Sequence, residues 1–337
     1  MRFTLNKTIA ALAFGAAATL TANTAFAEGQ LRVAQQFGVV YLLLNVAQDQ
    51  KLIEKHGQKL GVPIKVEWVQ LSGGNAANDA LLSGSIDVVG AGVGPLLTIW
   101  DRTKGRQNVK GVASLGNFPY YLISTNPNVK AIADLGDKDS IALPAVGVSV
   151  QARILQMAAA KQWAIGQFTR LDRLTQSVPH PDAAAAVIAG QTELNGHFAT
   201  PPYQDQELAG NPKAHVVLNS YDVQGGPASS TVLYATEKYV KANPKTTRAF
   251  IDALDEAAQI IAKNPELAAD AYLRVTKGKI DRAFLLKVIT NPQIQFKVAP
   301  QNTQGMATFL HQAGAIKNKP AGWRDYFFEH PALAKGS

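Results

Sequence analysis

VQLSGGNAANDALLSGSIDVVGAGVGPLLTIW, residues 69–100, decides the fold. It reads strand, loop, helix, strand, loop, helix. Val66 to Leu71 alternates apolar and polar residues as a half-buried strand does. Ser72-Gly73-Gly74 permits tight turning, and Asn75 is placed to cap a helix over Ala76 to Leu82 that stops at Ser83-Gly84. Ile86-Asp87-Val88-Val89 reads as a buried parallel-type strand. Gly90-Ala91-Gly92-Val93-Gly94 then turns into a second helix, with Pro95 in its first turn. Two glycine loops therefore lie at the carboxyl ends of two strands, each feeding a helix N-terminus. Open α/β sheets bind ligands at that edge, where free N–H groups and helix dipoles converge. One such loop is ordinary in any α/β protein. Two in succession, with a third at Gly147, mark a binding crevice.

Upstream, Arg2 and Lys7 form a short basic region, Ile9 to Leu20 is apolar, and Ala25-Phe26-Ala27 has the A-x-A form of a cleavage site. Residues 1–27 are expected to be a signal peptide cut after Ala27, and the product to be periplasmic. The apolar core is short for a membrane span, and no arginine pair suggests the twin-arginine route. The absence of cysteine leaves neither a lipoprotein attachment site nor a disulfide framework. Lys plus Arg number 33 against 25 Asp plus Glu, a formal charge of +8; loss of Arg2 and Lys7 lowers it by two. The bases are scattered without runs or interleaved aromatics. This is a solvated basic surface able to steer anions weakly, and no nucleic-acid partner is expected.

Downstream, Leu31 to Ala34 is a first strand, Gln35 to Gly38 a loop, and Val39 to about Gly57 a helix. After a strand over Val109 to Ser114, Leu115 to Tyr121 breaks the rhythm, and a second αβ series begins near residue 120. It holds strands at Leu122 to Ser124, Ser140 to Pro144, Gln167 to Leu174, Thr192 to Phe198 and His215 to Leu218, with helices at Val150 to Gln162, Pro179 to Gly190 and Tyr203 to Ala209. Ser220 to Gly226 is a return passage, and Ser230 to Ala235 a strand of the first lobe. Asn243-Pro244 and Asn264-Pro265 each join a cap residue to a first-turn proline, starting long helices. Helices over Asp281 to Ile289, Gln304 to Ala313 and Trp323 to Phe328 end the chain. The expected organisation is signal peptide 1–27, lobe I over 28–118 and 222–300, lobe II over 119–221, and a C-terminal helical segment over 301–337.

Other chemistry fits less well. Gly90-Ala91-Gly92-Val93-Gly94-Pro95 partly mimics a dinucleotide fingerprint, but Pro95 stands at the third glycine and the unit is not the first. No cofactor is expected. Gly147-Val148-Ser149-Val150-Gln151 resembles a nucleophile elbow with glutamine in place of the second glycine. Ser149 reads better as a helix cap or as a donor to an anion at a helix N-terminus. The six histidines show no H-x-x-x-H or H-E-x-x-H spacing, so no metal site is expected. His180-Pro181-Asp182 reads as a turn with a cap. His197, at a strand end before a loop, is read equally as a ligand contact or as a satisfied buried histidine. Tyr120, Tyr121, Phe198, Tyr203 and Trp100 suit a pocket wall or the core.

Taken together, LLSGSIDVVGAGVGPLL, the IADLG to IALPAVGVS junction and the segment ending HFATPP resemble the periplasmic substrate-binding proteins of ABC importers. The branch is that for nitrate, sulfonate and taurine, with relatives that bind thiamine pyrimidine. The resemblance covers Glu28 to about Trp323. It implies an α/β two-lobe, type II-like periplasmic-binding fold, with mostly parallel sheets flanked by helices, two crossing segments and hinge closure on a ligand. It implies a non-catalytic monomer that delivers a small molecule to a membrane permease with its ATPase. By position, it sets Gln36 and Phe37, Ser72 and Gly73, Gly92, Val93 and Gly94, Gly147, Ser149 and Val150, and His197 to Thr200 toward the ligand. No arginine stands at these loops, so an organic molecule with one polar or anionic group fits better than a bare ion. The alternatives are an exported hydrolase or pyrimidine-precursor enzyme using the same cleft, and a ligand sensor for a membrane receptor.

Overall fold

A computed structural model describes residues 28–190 and 193–337. The expected signal peptide and cleavage site, and Gln191 and Thr192, lie outside the described residues. The first lobe opens with β1 (Gln30–Gln35), α1 (Leu42–Asp49), α2 (Leu52–Lys59), β2 (Lys65–Gln70), α3 (Gly74–Leu82), β3 (Val88–Gly92), α4 (Val93–Thr103) and β4 (Lys110–Gly116). The second holds β5 (Tyr121–Ser124), β6 (Ile141–Leu143), α5 (Val150–Trp163), β7 (Thr175–Ser177), α6 (His180–Ala189), β8 (Gly196–Phe198), α7 (Tyr203–Gly210), β9 (His215–Asn219) and α8 (Ser220–Gln224). The chain then adds β10 (Thr231–Ala235), α9 (Glu237–Ala242), α10 (Pro244–Lys263), α11 (Pro265–Thr276), α12 (Arg282–Ile289) and α13 (Gln304–Gln312).

Among the described residues these strands form two five-stranded sheets of the same plan, β2-β1-β3-β10-β4 and β7-β6-β8-β5-β9. In each, the first three strands of that order run parallel, as helical crossovers require. One strand that has crossed from the other lobe inserts antiparallel to both neighbours: β10 between β3 and β4, and β5 between β8 and β9. The sheets are thus mixed, with four of five strands co-directional. The two crossings are bonded to each other: Tyr120 N–H donates to Ser220 Oγ at 2.8 Å, and Ser220 N–H to the Tyr120 carbonyl at 2.9 Å.

Local departures from the sequence reading have local causes. The helix expected over Val39 to Gly57 is interrupted where Lys51 adopts a left-handed φ of 51°. Gln167 to Leu174 forms short 3-10 turns, not a strand. Phe168, Leu171 and Leu174 pack inward at every third residue, the 3-10 period. Asn75 does not cap α3: Gly73 holds the cap position without a side-chain bond. Asn264 does cap α11, accepting from Leu267 N–H at 3.0 Å, whereas Asn243 makes no cap bond to α10. Trp323 to Phe328 is reduced to a 3-10 turn over Trp323–Asp325.

The C-terminal stretch lines no part of the cavity between the lobes and packs against both of them. Tyr326 and Phe328 bond the edge of β4 through Gly111, each at 2.8 Å, and cover an edge that would otherwise be open to pairing. Trp100 Nε1–H donates to the Asp325 carbonyl at 3.0 Å. α13 lies against α4 of one lobe and α5 of the other. There Phe309 meets Phe168 edge to face at 6.0 Å.

At the front, the lobes meet through glycines. Val39 N–H donates to the Pro201 carbonyl at 2.9 Å beside Gly38, whose φ is 113°. A Cβ at Gly73 would stand 2.5 Å from the Pro144 oxygen, one at Gly92 2.6 Å from Val150 Cβ, and one at Gly94 2.9 Å from the Val148 oxygen. Side chains do not tolerate such distances, so this closed arrangement needs glycine there. Gly92→Ala is expected to leave the circular dichroism spectrum unchanged and to raise the radius of gyration in small-angle scattering, because the lobes stop short. Superimposable scattering curves would show that closure accommodates the methyl group.

Candidate functional site

Where the carboxyl ends of the two sheets face each other, the closed lobes leave a cavity of about 30 Å³. That space holds about two waters. An organic ligand of several heavy atoms enters only when the lobes part.

The first lobe contributes Gln36, Phe37, Val40 and Tyr41 after β1, Gly74 at the start of α3, and Gly92 and Pro95 at the start of α4. The second contributes Pro144 after β6, Ser149, Val150 and Gln151 at the start of α5, His180 at the start of α6, and Thr200 after β8. Tyr120 and Thr231, from the two crossings, close the back and share a hydrogen bond. α3, α4, α5 and α6 thus present their N-terminal ends to one small space. First-turn amides have no intrahelical partner, and the dipoles add positive potential there.

The polar groups of the wall divide into spent and available. Gln36 Nε2 and the Tyr41 hydroxyl both donate to the Gly90 carbonyl, at 3.1 and 3.2 Å, and so brace the β1 loop. Ser149 Oγ accepts from Ala152 N–H at 3.2 Å, which caps α5 and leaves the hydroxyl proton free to donate. Thr200 Oγ1 is buried and bonded to no protein group. Among the described residues no lysine or arginine lines the cavity. Arg153, one turn into α5, turns aside to bond Gln156 at 2.9 Å, and burial lowers its pKa.

Beneath the second-lobe wall runs a buried polar chain. Gln151 Nε2 lies 3.1 Å from His180 Nε2, and His180 Nδ1 lies 2.8 Å from His197 Nε2. His197 Nδ1 bonds Glu207 Oε1 on α7. Tyr203 stacks on His180 with ring centroids 5.9 Å apart. Desolvation dominates throughout. It holds His180 well below the usual imidazole range, lowers His197 to about 3 and pushes Glu207 up to about 9. At neutral pH the carboxyl is protonated and both imidazoles are neutral.

Of the residues that sequence reading set toward a ligand, Gln36, Phe37, Gly92, Ser149, Val150 and Thr200 line the cavity. Ser72, Gly73, Val93, Gly94, Gly147 and His197 do not. Gly73 and Gly94 instead touch the opposite lobe. Val93 is buried, and its N–H is spent on the Ser230 carbonyl at 2.9 Å. Gly147, with φ of 68°, serves the turn before α5. His197 lies fully buried one layer back, and His180, read from sequence as a turn and cap, reaches the cavity instead. Tyr41, Pro95, Gln151 and Thr231 also line it, although sequence reading set none of them toward a ligand. The one usable signal was that Gln151 follows a cap residue by two positions, which is the first turn of a helix. As for a serine nucleophile, Ser149 bonds a backbone amide, whereas His180 and His197 bond each other.

The buried chain makes stability depend on pH. Glu207 titrates at its ordinary 4.5 when unfolded and at about 9 when folded. Between those values the folded state holds one more proton, so stability falls as pH rises, by about 1.4 kcal/mol per unit. His197, lowered from 6.5 to about 3, acts in the opposite sense below 6.5 and adds no slope above it. From pH 7 to 9 the wild type should lose about 2 kcal/mol more stability than Glu207→Gln, which cannot ionise. Urea melts at the two pH values measure this, and equal losses would place a charged carboxylate at Glu207 already at pH 7.

Comparison with known proteins adds ancestry to this geometry. The family model described as NMT1/THI5 like matches residues 63–268. A search of curated protein sequences finds no match. Among solved structures, the fold is similar to that of the alkanesulfonate-binding protein SsuA from Xanthomonas axonopodis pv. citri bound to MOPS (TM-score 0.65, 19% identity, 86% of this chain and 95% of that chain covered). It is similar also to the periplasmic aliphatic sulphonate binding protein SsuA from Escherichia coli (TM-score 0.61, 18% identity, 89% and 99% covered). A third is the periplasmic nitrate-binding protein NrtA from Synechocystis PCC 6803 (TM-score 0.65, 16% identity, 85% and 80% covered). With more than half of its residues matched by the family model and both sheets built on the periplasmic-binding plan, the chain belongs to the NMT1/THI5-like family.

Proposed function

We propose that this protein is an extracytoplasmic solute-binding protein of an ABC importer. It captures a small organic anion or polar organic solute, of the sulfonate, taurine or nitrate-like class, between its lobes. It then presents the closed complex to a membrane permease with its ATPase. The observation that carries this reading is the convergence of four helix N-termini, the Ser149 hydroxyl and the unpartnered Thr200 hydroxyl on one interlobe cavity without a lining cation. Fixed dipoles and neutral donors suit an anion that must be released again, because each gives less than a buried ion pair and needs no counter-charge. Closure is a population shift, and the glycine contacts between the lobes are available only to the closed form. The similarity to sulfonate- and nitrate-binding structures supports the solute class. The leader-like residues 1–27 support a periplasmic location after cleavage at Ala27, with the mature protein acting as a monomer.

A thermal-shift screen of residues 28–337 against alkyl and aryl sulfonates, taurine, nitrate, carboxylates and pyrimidines tests this. A ligand at a hundredfold excess over its Kd adds about 2.7 kcal/mol of stability. One anionic class is expected to raise the Tm, and Ser149→Ala to shrink that increment. The comparison uses increments because loss of the α5 cap alone costs about 1 kcal/mol. A rise with pyrimidines alone, or with nothing on the panel, would count against the organic-anion reading.

A further inference from the structure

The chain Gln151–His180–His197–Glu207 has a property that follows from counting its protons. It contains two bridges, Glu207 to His197 and His197 to His180, and each needs one proton. A carboxyl and two imidazoles hold three protons when electrically neutral. The third has two possible seats, His180 Nε2 at the free end and Glu207 Oε2. An O–H at Oε2 would be a buried donor with no protein acceptor, whereas His180 Nε2–H meets the Gln151 amide, so the proton belongs on His180 Nε2. If one proton is lost, the relay carries a unit negative charge and His180 Nε2 becomes a lone pair.

Gln151 reads this end. Its amide stands 3.1 Å from His180 Nε2, and the amide oxygen and nitrogen exchange places on a half-turn with the same heavy-atom geometry. With three protons, His180 Nε2–H must donate to the amide oxygen, and the NH2 group is left for the cavity that Gln151 lines. With two protons, the NH2 group donates to His180 and the carbonyl faces the cavity. The surroundings favour three. His197 and Glu207 are completely buried, and Glu207 Oε2 has no protein partner, a costly place for a carboxylate. The charged or titratable groups packed around the relay are Asp205 beside Glu207, Tyr203 stacked on His180, and Asp182 beside Tyr203. All are acidic, and each opposes a further negative charge.

We propose that Glu207 and His197 are positioning residues, acting through His180 to hold the Gln151 amide with its NH2 group toward the ligand, so that the cleft selects the oxygen-bearing end of an organic anion. This deepens the importer reading and rests on it for the ligand, but not for the relay.

The two are tested separately on the same protein. Nitrogen-15 NMR of the imidazole rings in ligand-free wild type at pH 7.5 is expected to show Nε2–H and bare Nδ1 for His180 and His197. Both should switch to Nδ1–H as pH rises past about 9, the range to which burial moves Glu207. Glu207→Gln donates its own amide N–H to His197 and cannot ionise, so it should keep Nε2–H to pH 10.5. Nδ1–H tautomers in the wild type at pH 7.5, or a variant that switches together with it, overturn the proposal. Calorimetry with ethanesulfonate is the second readout. Wild-type affinity should fall about tenfold or more from pH 8 to 10.5. That of Glu207→Gln should change far less over the same range, whatever its starting value. Parallel losses overturn the link between relay and ligand. Absence of ethanesulfonate binding in a protein with the expected tautomers counts against the solute class and leaves the relay in place.

Discussion

Backbone meets backbone where Gly38 faces Pro201 and Gly73 faces Pro144, and at Gly92 and Gly94 the second lobe comes as close through Val150 and Val148. That approach governs the rest of the site. It brings helix N-termini from opposite lobes onto one point and excludes all but about 30 Å³ of solvent-sized space. Low local dielectric then makes each dipole count for more than it would in water. A side chain at any of these positions would widen the gap, admit water and weaken every donor at once. The glycines are thus less the grip on a ligand than the reason a grip can form.

The second constraint is electrostatic. The chain as a whole is basic, yet its cleft is lined by neutral donors. The scattered surface charge can raise the arrival rate of anions without entering the bound complex. Inside, neutrality is kept by burial: the imidazoles stay uncharged and the Glu207 carboxyl stays protonated because no solvent reaches them. Recognition and stability are coupled there, since one set of desolvated groups both orients Gln151 and sets how the fold responds to alkali.

How much of this was legible in the sequence depends on whether the signal was local. The alternation over Val66 to Leu71, the run from Val88 and the glycines after them are local, and the strand–loop–helix units follow from them. So does the Ser149 cap, whose bond to Ala152 spans three residues. Gln167 to Leu174 was misread as a strand because eight residues with Phe168, Leu171 and Leu174 apolar are too few to show their period, and Phe309, which Phe168 meets, is far away in the chain. The His180–His197 pair lay out of reach for a similar reason. Its members come from successive βα units and meet only when β8 takes its place beside β6. Gly73 and Gly94 were rightly seen as unusual, but sequence cannot say whether a glycine makes room for a ligand or for another part of the protein.

α13 is held to α4 and α5, which is to say to both jaws, and contributes no residue to the cavity lining. The jaws cannot separate without α13 sliding over one of them or tilting with it. The resting balance between open and shut forms is therefore set partly at a place no solute touches. Because apparent affinity scales with the fraction of molecules already competent to bind, changes around Phe309 and Phe168 can alter how tightly any solute is held without altering which solute is chosen. Part of the strength of binding can thus be tuned at residues that do not line the cavity, apart from selectivity.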